Sequence, residues 1–88
     1  MGAKKDALIK LLEGKDEINV CIYIEDGVET GQRPFSKAAA MIKKDLLILN
    51  EMIPIPVDDR YIDSVGDDNA VIIFIDPENQ IVHVKIQV

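Results

Sequence analysis

Apolar residues recur along this 88-residue chain with two different periods, and the switches between them divide it into elements. Ala7, Leu8, Leu11 and Leu12 fall at helical spacing and predict a helix over residues 3–13, stopped by Gly14 at the C′ position. Lys4, Lys5, Asp6, Lys10 and Glu13 cover its other side, and Lys15-Asp16-Glu17 makes a short polar connection. From Ile18 to Glu25 the period becomes two. Ile18, Val20, Ile22 and Ile24 point one way, while Asn19, Cys21, Tyr23 and Glu25 point the other, the pattern of a strand with one buried face. Asp26-Gly27 begins a turn, and a loop continues through Gly31 to Pro34.

Ser36 is placed to cap a second helix whose apolar stripe is Ala38, Ile42, Leu46 and Leu49. Leu47 and Ile48 fall outside that stripe. They mark either a helix buried on two sides or a switch to extended chain near Asp45. Ile53-Pro54-Ile55-Pro56 must be extended, because each proline drives its predecessor out of the helical region. It is at most an edge strand. Asp58 or Asp59 opens a short helical turn that ends at Gly66. Ala70 to Ile75 is apolar on both faces, as a central strand is. Asp76-Pro77-Glu78-Asn79 is a type I turn by residue type, and Ile81 to Val88 alternates again, with His83, Lys85 and Gln87 on its polar side.

The resulting order is helix, strand, helix, extended segment, short helix and hairpin. It predicts a single α+β domain over residues 1–88, in which helices pack in two layers against a mixed β-sheet ending in a C-terminal hairpin. A thioredoxin-like arrangement is the alternative.

Composition narrows the functional classes. Apolar residues make up 48% of the chain, enough for one aliphatic core, and tryptophan is absent. Sixteen acidic residues against ten basic ones give a net charge of −6, which disfavours nucleic acid and anionic membrane as partners and favours cations or basic molecules. Cys21 is the lone cysteine, so neither an intramolecular disulfide nor a thiolate zinc cluster is available. The start, M-G-A-K-K-D, has no apolar signal region, and Asp6 stands where a myristoylation pattern requires Ser or Thr. A cytoplasmic protein is expected. Charged residues at 30% and only five glycines would suit a thermophile.

The densest chemistry lies in V-D-D-R-Y-I-D-S-V-G-D-D-N. Asp58, Asp59, Asp63, Asp67 and Asp68 share this stretch with one cation, Arg60. Crowded carboxylates repel, so either water screens them or a hard cation sits among them. In the cation reading, Asp59 and Asp63 stand one helical turn apart, and Asp67, Asp68 and the carbonyl of Asn69 close a calcium site. Magnesium would take fewer protein ligands and more water. The spacing is not that of a helix–loop–helix calcium hand. The rival reading makes Asp58 or Asp59 a helix cap and Asp67-Asp68 a solvated turn.

The segment Thr30-Gly31-Gln32-Arg33-Pro34-Phe35-Ser36-Lys37 would offer helix-start amides and two cations to a phosphate or carboxylate, but it lacks the glycine–lysine spacing of a P-loop. V-C-I-Y-I-E-D-G followed by R-P-F-S-K-A-A-A-M-I-K-K resembles the opening strand and first helix of glutaredoxin-type thioredoxin folds. That resemblance implies a redox-inactive interaction module, because Arg33 occupies the place of the nucleophilic cysteine and Ser36 that of the second. Such a module would hold a protein partner on the 30–37 loop or an exposed sheet edge. Cys21 fits a small buried residue. His83, flanked by Lys85 and Gln87, fits a half-covered polar face, and Glu25, Asp26 and Glu29 form a second acidic spot.

With the aspartate stretch and the whole layout in view, the chain resembles a small acidic, uncharacterised α+β protein of methanogenic archaea reported to bind calcium. The resemblance implies calcium binding through surface carboxylates and no known cellular role. The expectation is a non-enzymatic, cytoplasmic monomer that binds Ca²⁺ weakly through Asp58, Asp59, Asp63, Asp67, Asp68 and Asn69. A divalent cation, and alternatively an unidentified protein, is its partner, with no nucleic acid and no membrane.

Overall fold

The computed structural model describes residues 2–25 and 34–88. They form one helix, α1 (Ala3–Leu12), and seven strands: β1 (Glu17–Ile24), β2 (Ser36–Lys43), β3 (Leu46–Leu49), β4 (Ile53–Pro56), β5 (Ile62–Val65), β6 (Asn69–Ile75) and β7 (Ile81–Gln87). All seven strands join one sheet in the order β4-β3-β2-β1-β7-β6-β5, and every pairing is antiparallel.

This overturns the expected two-layer α+β domain. The sheet is purely antiparallel rather than mixed, and a single helix stands where several were expected. The thioredoxin-like alternative falls with it, since that outline needs helices packed on a mixed sheet. Two segments account for the difference. The helix expected from Ser36 is the β2–β3 hairpin, which turns at Lys44-Asp45. Ala38 and Ile42 fit a period of two as well as a helical stripe, and the decisive residue is Leu47. The stripe excluded Leu47, yet it is 0% exposed, whereas Leu46 lies outside. Burial in the sheet has overridden the helical propensity of the alanines. The short helical turn expected at residues 59–65 is instead a tight turn followed by β5.

Other expectations hold. α1 ends where Gly14 takes φ +76°, and the Lys15 N–H returns to the Leu12 carbonyl. Asp76 accepts bonds from the Glu78 and Gln80 amides, while the Asn79 N–H closes the turn onto the Asp76 carbonyl, giving the β6–β7 hairpin. Ile53–Pro56 is an edge strand. Of the expected loop, residues 26–33 lie outside the described residues.

The sheet curls about β2. Its first half, Ser36–Ala39, pairs with β1, and its second half, Ala40–Lys43, pairs with β3. One apolar cluster receives Leu47, Leu49, Ile55 and Val57 from one end of the sheet and Ile62, Ala70, Ile72 and Val84 from the other. A ten-residue helix is too short to cover all of these, so the two halves of the sheet cover each other. α1 lies against β5 and inserts Leu8 and Leu12 into the same core. Each such side chain contributes roughly 1.5–3 kcal/mol on burial.

Candidate functional site

The aspartate stretch is the first place to look for a site, and the fold gives its members separate tasks. Asp59 reaches α1: its Oδ1 accepts from the Lys5 amide at 2.8 Å and its Oδ2 from the Lys4 amide at 3.3 Å. These are unsatisfied donors of the first helical turn, and Gly2 at the N-cap has no side chain to serve them. Asp59 therefore caps the helix from more than fifty residues away, an interaction worth about 1 kcal/mol. Lys5 also pairs with Asp45 in the β2–β3 turn, which holds its ammonium above the ordinary pKa. The start of α1 thus ties the β4–β5 turn to the β2–β3 turn.

Asp58 is engaged locally. The Arg60 backbone amide donates to it at 3.1 Å and the guanidinium adds a 3.1 Å ion pair, and together they hold its carboxyl below the ordinary range. Asp63 sits at an irregularity in β5, where the register shifts between Ile62 and Ser64. Asp67 lines an open groove of about 510 Å³ together with Lys10, Lys15 and Val88. The Asp68 side chain accepts from the Asn69 side-chain Nδ2 at 2.8 Å, and its backbone carbonyl accepts the Val88 N–H. Among the described residues, no group of three or more His, Cys, Asp or Glu side chains is arranged to hold a metal ion. The placement of Asp58, Asp59, Asp63, Asp67, Asp68 and Asn69 gives the calcium reading no support.

The remaining polar candidates gather on the outward face of β1 and β7. Register places Cys21 opposite Lys85 and Tyr23 opposite His83. The Tyr23 and His83 rings stack at 4.8 Å with 8° between their planes, His83 Nε2 lies 2.9 Å from Glu25 Oε1, and Lys85 Nζ stands 5.6 Å over the Tyr23 ring. This cluster joins two central strands. Cys21 is buried within it. Of the second acidic spot only Glu25 is described. Asp26 and Glu29 lie outside the described residues, as do Thr30, Gly31, Gln32 and Arg33 of the other candidate loop. Pro34 and Phe35 are exposed, and Ser36 opens β2 rather than capping a helix.

The unexpected feature is the outward face of the other half-sheet. Met41, Ile48 and Pro54 lie in one cross-strand row, and Lys43, Leu46 and Pro56 lie in the next. Ala39 extends the face along β2, and Met52, 75% exposed, stands at its end in the β3–β4 turn. Met41 is 51% exposed and Leu46 is exposed too. The outward positions of these three strands carry no carboxylate, although exposed Glu17 of β1 stands opposite Ala39 at their border. Contiguous apolar surface of this kind marks interaction sites.

The β4 edge is poorly suited to strand addition. In β4, Ile53 and Ile55 turn their amides toward β3, because Pro54 and Pro56 have none to give. The free side of β4 therefore offers carbonyls but no N–H from these positions. At the opposite edge, α1 packs against β5.

No protein-family model matches this chain, and no curated protein or solved structure is significantly similar to it. Among the described residues, no helix is long and apolar enough to cross a membrane. The apolar face was hidden in the sequence because the helical stripe grouped Leu46 with Ala38 and Leu49, which point inward. The one local signal was the misfit of Leu47 and Ile48.

Proposed function

We propose that this protein is a non-enzymatic binding module that docks a protein partner on the outward face of β2, β3 and β4. The observation that carries this reading is the cross-strand row Met41–Ile48–Pro54, backed by Leu46 and Pro56 and open to water. Methionine suits such a role because its side chain is flexible and polarisable and adapts to a partner's shape. A face rather than the β4 edge is used, since Pro54 and Pro56 leave that edge without N–H donors. The cytoplasm is the compartment proposed, where Cys21, with no second thiol in this chain, stays reduced.

Site-specific photo-crosslinking in cells that express the protein natively tests this. A crosslinker at Met41 is expected to capture a discrete protein and to lose it when Ile48→Asp is added, while one at Gln87 captures none. Equal capture from Met41 and Gln87, or capture indifferent to Ile48→Asp, overturns the reading.

A further inference from the structure

Among the described residues, sulfur occurs at Cys21, Met41 and Met52, and the two thioethers are the sulfurs that water reaches. Cys21 is 6% exposed, whereas Met41 is 51% and Met52 75% exposed. Met41 stands in the central row of the apolar face, beside Ile48 and, beyond it, Pro54. Met52 stands at the end of that face, in the β3–β4 turn. We propose that Met41 is an oxidation site, and that its conversion to the sulfoxide by a peroxide releases the partner docked there. The inference rests on the docking reading above and adds the regulation of that same face.

The step is a two-electron oxygen transfer. The O–O bond of hydrogen peroxide breaks, one oxygen bonds to Met41 Sδ, and the other leaves as water. Sulfur is oxidised and the peroxide oxygen is reduced. A thioether has no proton to lose, so the step needs none of the thiolate formation that governs a cysteine. Accessibility therefore decides where it happens, and accessibility favours the docking face.

The product differs from the thioether in the property that docking uses. Methionine is apolar and flexible, while its sulfoxide carries a polar S–O bond that demands a hydrogen-bond donor. On the free protein, water supplies that donor, and the fold tolerates the change because Met41 points away from the core. Under a docked partner, the oxygen lies in a row whose other members, Ile48 and Pro54, offer no side-chain donor. The desolvation penalty thus falls on the complex alone and shifts the equilibrium toward the free protein. Met52 is more exposed and reacts first, but at the end of the face its oxygen stays in water, as rim groups do. Met41 carries the effect.

A photo-crosslinker at Leu46, also exposed on this face, leaves both methionines in place for the test. The purified protein is treated with hydrogen peroxide, cleared of it with catalase, and returned to an extract of the cells that express it natively. Capture of the protein that Met41 captures in cells is expected to fall at least about tenfold relative to untreated protein. Mass spectrometry is expected to place the added oxygen on Met52 first and on Met41 next. Amide shifts are expected to stay on β2, β3 and β4, with the rest of the spectrum unmoved. Met41→Leu, which keeps an apolar side chain of similar volume, is expected to preserve capture after treatment. Met52→Leu is expected to lose capture as the parent does. Undiminished capture with Met41 fully oxidised, a loss that persists in Met41→Leu, or unfolding by the peroxide overturns the inference. If treated and untreated protein capture alike, the oxidation switch falls and the docking face stands. If untreated protein captures nothing from either Leu46 or Met41, both readings fall.

Discussion

The two outward faces of this one sheet are built on the same antiparallel ladder and present opposite surfaces. On β1 and β7, two outward rows are tied together by their own side chains: Tyr23 stacks on His83, His83 meets Glu25, and Lys85 lies over Tyr23. On β2, β3 and β4, the central row is Met41, Ile48 and Pro54, with two lysines along β2 and no carboxylate. A face that satisfies itself stabilises the monomer. A face that leaves its apolar rows in water is the one proposed here to dock a partner.

The strongest test of this contrast uses neighbours in one strand. Leu47→Ala, at a site with 0% exposure, is expected to cost about 2–5 kcal/mol in urea unfolding. Ile48→Ser, one residue on but facing outward, is expected to cost about 1 kcal/mol or less. Equal costs would mean that the outward face is already covered in the monomer, and the comparison would collapse. A smaller effect sharpens the other side. A double-mutant cycle on Tyr23 and His83 is expected to give a coupling of about 0.5–1.5 kcal/mol, and zero coupling would deny that face its self-sufficiency.

The smallest effect lies off both faces. Arg60 depresses the Asp58 pKa in the folded chain, so this contribution is present above the ordinary carboxylate pKa and is lost as pH falls through the lower folded value. Asp58→Asn is therefore expected to lower stability slightly near neutral pH, with the gap to the parent protein closing in acid. A gap that widens in acid contradicts the Arg60 pairing.

Much of the fold was legible because it is local. α1 and its stop at Gly14, the alternation of β7, the Asp76-Pro77 turn and the edge status of Ile53–Pro56 each rest on a few adjacent residues, whereas β1 is extended as expected but leaves Ile22 and Ile24 of its expected buried face exposed and buries Cys21. The β2–β3 hairpin was not legible, because its turn takes Lys44 to φ +57° with no glycine to announce it. The next turn likewise puts Asn50 and Glu51 at positive φ, and only the asparagine is a common turn residue. The Ser36 cap and the stripe Ala38, Ile42, Leu46 and Leu49 then pointed to a helix. The aspartates were conspicuous as residues, but their roles were not. Asp59 is bound by amides 54 and 55 positions away, a distance no local pattern encodes.

The sequence by itself determined a single aliphatic core, a strongly acidic surface and the segments that must be extended, since these depend on composition and on adjacent dihedrals. Only the tertiary structure decided which face of each strand meets water. A period of two defines two faces without saying which is covered, and that choice belongs to register between distant strands. Curling about β2 buried Leu47 and Leu49 against the other half-sheet and left Met41 and Ile48 outside. It also scattered the aspartates among a helix cap, an ion pair, a strand and a turn.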